Sequence, residues 1–155
     1  MRTAEIAQKI MENLESHDVI IANFANADMV GHSGNFQAAV RAVEILDEAV
    51  GKLTAEVLKR DGVMIITADH GNIELKRNVF TGEKLTEHSL NPVPCYLVGK
   101  SWRRRSPRSD AEVIRLKKDV SGILTDIAPT LLELLEIKKP DEMTGKSLLA
   151  TLLRG

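Results

Sequence analysis

Three short apolar runs constrain the fold of this chain more than any other feature: Asp18 to Phe24, Val63 to Ala68, and Val93 to Val98. Each is short and carries β-branched or aromatic residues, so each reads as a buried strand. A long helical pattern separates the first two. Gly34-Asn35 opens it, Phe36, Val40, Val43, Leu46, Val50, Leu53 and Val57 recur at steps of three and four, and Asp61-Gly62 stops it. Strands alternating with helices predict an α/β fold, a mostly parallel sheet flanked by helices. In such sheets ligands collect beyond the carboxyl ends of the strands.

The remaining segments fit around that frame. Residues 3–16 read as a helix through Ile6, Ile10, Met11 and Leu14. Asn72 to Leu85 is polar and reads as a hairpin or loop turning at Thr81-Gly82. Residues 100–121 read as the least structured part, with Ser101 to Pro107 an exposed excursion. Leu124 to Leu135 reads as an apolar helix with Pro129 near its first turn, and a short helix covers roughly Ser147 to Leu153. With 155 residues and no internal repeat, a single domain over 1–155 is expected.

Composition removes several function classes. A net charge of −1 gives no electrostatic case for nucleic acid. No apolar run approaches the ~20 residues of a membrane span. The single cysteine, Cys95, leaves no internal disulfide framework and fits a reducing compartment, so a cytoplasmic protein is expected.

What the strands present is more specific. Asp28 and His32 lie four residues apart just past the first run; Asp69-His70 follow the second; Glu87-His88 precede the third. Asp and neutral His are good ligands for Mn²⁺ or Zn²⁺, and the carboxylates favour manganese. One turn of chain brings Asp28 and His32 to one ion. Asp69 and His70, as neighbours, either bridge two ions or serve separate ones, and two ions about 3.5–4 Å apart form a phosphoryl-transfer clamp. The other conspicuous residues have plainer readings. His17 sits at a helix end, Cys95 is a small core residue, Arg103-Arg104-Arg105 is a solvated loop, and the leucines at 131, 132, 134 and 135 are core.

Asn23-Phe24-Ala25-Asn26-Ala27-Asp28-Met29-Val30-Gly31-His32 resembles a signature of the cofactor-independent (2,3-bisphosphoglycerate-independent) phosphoglycerate mutases. So do Thr67-Ala68-Asp69-His70-Gly71-Asn72, Thr86-Glu87-His88-Ser89 with Asn91-Pro92-Val93-Pro94, Leu124 to Leu132, and Glu142 to Leu148, in the family's order. Ala-Asp-His-Gly alone would indicate only the wider alkaline-phosphatase-like superfamily. The resemblance implies a partial alkaline-phosphatase-like domain, and it assigns Asp28, His32 and His88 to one manganese ion and Asp69 and His70 to a second. Three ligands should hold the first ion well and two the second weakly, with magnesium or zinc as alternatives. It implies interconversion of 3-phosphoglycerate and 2-phosphoglycerate through a phosphoserine.

Family enzymes are much longer, and this chain resembles only the last part of their phosphatase-like domain. The serine nucleophile and the arginines that grip phosphoglycerate have no counterpart in it, and neither Ser33 nor Ser89 sits in the nucleophile motif. The chain alone is therefore expected to be inactive, to associate with itself or with the missing N-terminal half, and to meet phosphoglycerate only once completed. Its rivals are a non-catalytic metal-binding interaction module and a weak metal-dependent phosphatase.

Overall fold

A computed structural model of the chain describes residues 2–78 and 80–154. Helix α1 (Thr3–Asn13) packs against a 24-residue helix, α3 (Phe36–Lys59), and the six-residue α2 (Asn26–Gly31) packs on α3 further along. Asn35 caps α3 by accepting the Ala38 N–H at 3.1 Å. At the other end Gly62 N–H returns to the Val57 carbonyl at 3.0 Å, with Asp61 in the left-handed region (φ 54°). The expected helical stripe is only half used. Leu53 and Val57 are buried, but Phe36, Val40 and Val43 are exposed, and Ala39, Ala42 and Ala49 face the contacts instead. Alanine permits the close approach of α2, whose Asn26 amide donates to the Ala42 carbonyl at 2.9 Å.

Two strands follow, β1 (Met64–Thr67) and β2 (Cys95–Val98). The combination of helices and a small sheet agrees with the α/β expectation, but the strand direction differs from it. β1 and β2 pair antiparallel, Met64 opposite Val98 and Thr67 opposite Cys95. A parallel pair needs a crossover that returns the chain to the same end, usually a helix. The described residues of 68–94 contain none; they form a polar excursion tied by the bridges Gly71–Ser89 and Arg77–Lys84, turning at Thr81-Gly82 as the sequence suggested.

The first expected strand is also corrected. Asp18 to Phe24 pairs with no other segment among the described residues, and Val19 (45% exposed) and Ile21 (85%) face outward. A strand exists only through its neighbours' hydrogen bonds, and β1 offers its edge to β2. Phe24 nonetheless reaches the small core formed by Ala7, Ala49 and Leu53, with Ile10, Met11 and Met64 around it.

Residues 100–121 are better ordered than expected. Asp110–Leu116 is a helix (α4), begun by a capping box in which Ser109 and Glu112 satisfy each other's backbone N–H groups. Ser109-Asp110-Ala111-Glu112 was its sequence signal. The C-terminal helices α5 (Ile127–Leu134) and α6 (Leu149–Arg154) are clasped by polar contacts. Asp126 accepts from Ile123 N–H (3.0 Å) and Lys146 N–H (2.8 Å), which hold its carboxyl below the usual range. The fully buried Thr130 hydroxyl donates to the Asp126 carbonyl at 2.6 Å and accepts from Leu148 N–H at 2.8 Å.

The surface is large for the mass. The chain exposes 11548 Å², against the ~7,800 Å² that the scaling for folded monomers gives at 17.1 kDa. About half as much again lies open, consistent with so few buried apolar residues.

The Thr130 clasp is testable. Thr130→Val keeps the shape but leaves Leu148 N–H without its acceptor, and should cost about 1–3 kcal/mol in urea unfolding. Thr130→Ser should retain most of the stability. Identical midpoints for wild type and Thr130→Val would mean the clasp contributes nothing.

Candidate metal centre

Asp28 and His32 share one face of the chain because α2 and its C-cap make a single turn between them: His32 N–H donates to the Asp28 carbonyl at 3.2 Å. His70 leaves the end of β1, and His88 arrives on the return limb of the excursion. The two limbs are pinned by Ser89 N–H donating to the Gly71 carbonyl at 2.8 Å. Glu74 tightens the clasp: its carboxylate accepts from the Ser89 hydroxyl, from Asn91 Nδ2 (2.9 Å) and from Asn72 N–H (2.8 Å). Burial pushes the Glu74 carboxyl up, and these donors outweigh it, leaving it below the usual range. Gly71 is required at the pinch, because a Cβ there would collide with Ser89 Oγ and Glu74.

These constraints converge on Asp28 Oδ1. His88 Nε2 lies 3.2 Å from it and His32 Nε2 3.3 Å, while the two Nε2 atoms are 3.2 Å apart. Three ligands at about 2.1 Å from one ion in roughly tetrahedral array would lie ~3.4 Å apart, so the triangle has the dimensions of a coordination face. His32 Nδ1 lies 2.6 Å from the Thr86 carbonyl. A carbonyl only accepts, so Nδ1 donates to it, and in the neutral imidazole this leaves the Nε2 lone pair for an ion.

His70 stands beside this face. Its ring stacks on His88 with centroids 3.6 Å apart, and its Nδ1 is buried with no hydrogen-bond partner among the described residues. Asp28, His70 and His88 together offer ligand atoms within 4.8 Å of one another. Asp69 sits at the exposed rim: its side chain is 84% exposed, with Oδ1 3.6 Å from His70 Nε2. The donor chemistry, the spacing and the orphaned imidazole nitrogen all fit a divalent cation.

Burial raises the Asp28 carboxyl, but the hydrogen bond from Asn72 (Nδ2 to Oδ1, 2.6 Å) and the nearby imidazoles of His32, His88 and His70 more than offset it, leaving it below the usual range. The supporting roles of Asn72, Glu74, Lys76, Ser89 and Asn91 were not assigned from sequence. The available signal was the polar cluster directly after Asp69-His70-Gly71, whose meaning depends on which chain segment folds over it.

The model of the metalloenzyme superfamily matches residues 1–139. A 2,3-bisphosphoglycerate-independent phosphoglycerate mutase of Clostridium botulinum is 44% identical over 151 residues, covering 96% of this chain and 27% of that protein. One of Methanosarcina barkeri, 2,3-bisphosphoglycerate-independent phosphoglycerate mutase 1, is 48% identical with the same coverage. The crystal structure of Leishmania mexicana phosphoglycerate mutase at low cobalt concentration superposes with a TM-score of 0.71 at 32% identity, over 94% of this chain and 28% of that one. The chain thus spans about a quarter of the length of the relatives it matches.

The Asp28 environment has a pH consequence. A depressed folded pKa contributes stability that is fully present above the unfolded value of ~3.9 and is lost as pH falls through the folded pKa. In metal-free buffer, the stability difference between wild type and Asp28→Asn should therefore be constant near neutrality and shrink as pH drops below about 4. Urea midpoints from pH 7 to pH 2.5 would show it; a gap that widens on acidification would contradict the assignment.

Proposed function

Because the chain belongs to the metalloenzyme superfamily, we propose that Asp28, His32 and His88 hold one divalent cation, preferably Mn²⁺, as part of the metal centre of a 2,3-bisphosphoglycerate-independent phosphoglycerate mutase. The observation that carries this reading is the 3.2–3.3 Å triangle of Asp28 Oδ1, His32 Nε2 and His88 Nε2. Magnesium and zinc are the alternative ions. Asp69 and His70 serve a second, weaker site. The isomerase reaction is the interconversion of 3-phosphoglycerate and 2-phosphoglycerate through a phosphoserine, a glycolytic step in the cytoplasm, and the relatives' names support that substrate.

A bound divalent cation supplies Lewis-acid stabilisation of phosphoryl oxygens. The chain's own residues do the rest of the work assigned here. Thr86 fixes the His32 tautomer, Asn72 orients the Asp28 carboxylate, and Glu74 holds the His88 limb against the His70 limb. Neither nearby serine sits in the family's nucleophile motif; Ser33 Oγ donates to the Val30 carbonyl at 2.6 Å, and Ser89 Oγ to Glu74. The 155 residues alone should therefore be inactive as a mutase.

The exposed surface supports a partner. The excess over an ordinary monomer exceeds the ~1,600 Å² of a standard interface, and Val19 and Ile21 lie on an unpaired apolar segment beside Ile6 and Ile10 of α1. The reading assigns this face to the remaining part of the mutase fold, which the relatives carry in their extra length.

Calorimetry with Mn²⁺ tests the centre: wild type should bind one ion, and His32→Ala, which removes a ligand, should weaken it by more than the ~10–100-fold typical of losing an outer-shell partner. Binding should also weaken on acidification, because protons compete for the imidazole nitrogens. Equal affinities would refute the ligand set. Adding the N-terminal remainder of a related mutase should restore phosphoglycerate turnover. Hydrolysis of a generic aryl phosphate by the chain alone with Mn²⁺ would favour the weak-phosphatase reading instead.

Light scattering addresses the open face separately. The isolated chain should self-associate over a tenfold concentration range and should cease to do so when the complementing segment is added. A clean monomer with a sharp thermal transition would count against any partner there.

A further inference from the structure

Behind the metal-binding carboxylate lies a cation that the ligand chemistry does not use. Lys76 is 5% exposed. Its ammonium donates to the Gly31 carbonyl at 3.2 Å and to the Asn72 carboxamide oxygen, both neutral acceptors. Among the described residues it has no carboxylate within 4.0 Å. A buried ammonium without an anion is costly unless its donors are engaged, so its placement calls for a reason.

The reason is visible one residue further on. Asn72, also 5% exposed, spans the gap between Lys76 and Asp28: its Oδ1 accepts from Lys76, and its Nδ2 donates to Asp28 Oδ1 at 2.6 Å. A lysine only donates and an ionised carboxylate only accepts. A carboxamide between them has one orientation that satisfies both, oxygen to the lysine and NH₂ to the aspartate. Space for it exists because position 31 is glycine; a Cβ there would lie 2.5 Å from Asn72 Oδ1.

We propose that Lys76 is a positioning residue for the metal centre, acting through the Asn72 amide to fix Asp28 Oδ1 in the triangle with His32 and His88. This rests on the metal-centre reading above. Among the described residues Lys76 bonds to none of the proposed ligands' donor atoms; it aligns the group that aligns the ligand. Outer-shell partners of this kind typically change metal affinity 10–100-fold when removed.

The test uses the 155-residue chain, with Mn²⁺ followed by calorimetry and Co²⁺ by the visible absorption of the bound ion, which reports its ligand geometry. Lys76→Met keeps the length and apolar stem of the side chain without the donor. It should bind Mn²⁺ about tenfold more weakly and alter the Co²⁺ spectrum. Asn72→Ala should do at least as much. The double variant should match Asn72→Ala alone, because the lysine then has nothing to act through. Wild-type affinity in Lys76→Met, or a further tenfold loss when it is added to Asn72→Ala, would overturn the proposal. Should Lys76→Met fail to fold by circular dichroism, Asn72→Ala decides by itself: wild-type affinity with an unchanged Co²⁺ spectrum overturns the relay, and weakened binding with an altered spectrum supports it. Wild type that binds neither ion removes the metal-centre reading and this inference with it, whereas normal binding by wild type and Lys76→Met alike removes this inference alone.

Discussion

One oxygen atom, Asp28 Oδ1, is the point on which the described architecture converges. His32 reaches it along α2, His88 across the long excursion, and Asn72 from the segment just after β1. Each of those groups is held in turn by something else: His32 by the Thr86 carbonyl, Asn72 by Lys76, the His88 limb by the Gly71–Ser89 bridge and by Glu74. A carboxylate only accepts, so it can gather several donors or cations at one point, and burial there is offset only while those partners stay in place. The pull of those partners on the Asp28 carboxyl is the electrostatic record of that arrangement.

The apolar framework is slight by comparison. The buried core is alanine, leucine and valine on α1 and α3, joined by Phe24 and Met64. The sheet has two strands, and its residues are mostly half-buried. Polar clasps therefore carry much of the local order: the capping box at Ser109, the Asp126–Thr130 knot that joins α5 to the chain before α6, and the Glu74 network at the site. The candidate site on α2 and the open apolar face beside α1 are carried by elements that both pack against α3.

Some of this was legible in the residues. The helical period placed α1 and α3, Gly34-Asn35 and Asp61-Gly62 marked the ends of α3, and Thr81-Gly82 marked the turn of the excursion. Asp28, His32, Asp69, His70 and His88 stand out because they flank apolar runs. Helix α4 has a local cue, the capping-box spacing of Ser109 and Glu112, next to an arginine-rich polar stretch that reads as a loop. The run at 18–24 had the composition of a strand but forms none, since composition gives a tendency and a hydrogen-bonded neighbour gives the strand.

The sequence by itself determined which side chains could bind a metal and where the long helix starts and stops, because ligand chemistry and helix period are local properties. It also carried enough order of motifs to mark the family. Only the tertiary structure decided that β1 and β2 run antiparallel, that the alanine face of α3 rather than its phenylalanine and valines packs against α2, and that His70 stacks on His88 while Asp69 faces solvent. It alone brought Lys76 behind Asn72 and Asn72 onto Asp28, 44 positions away in the chain. Those outcomes depend on which distant segments meet, and a local pattern does not encode the direction from which a partner arrives.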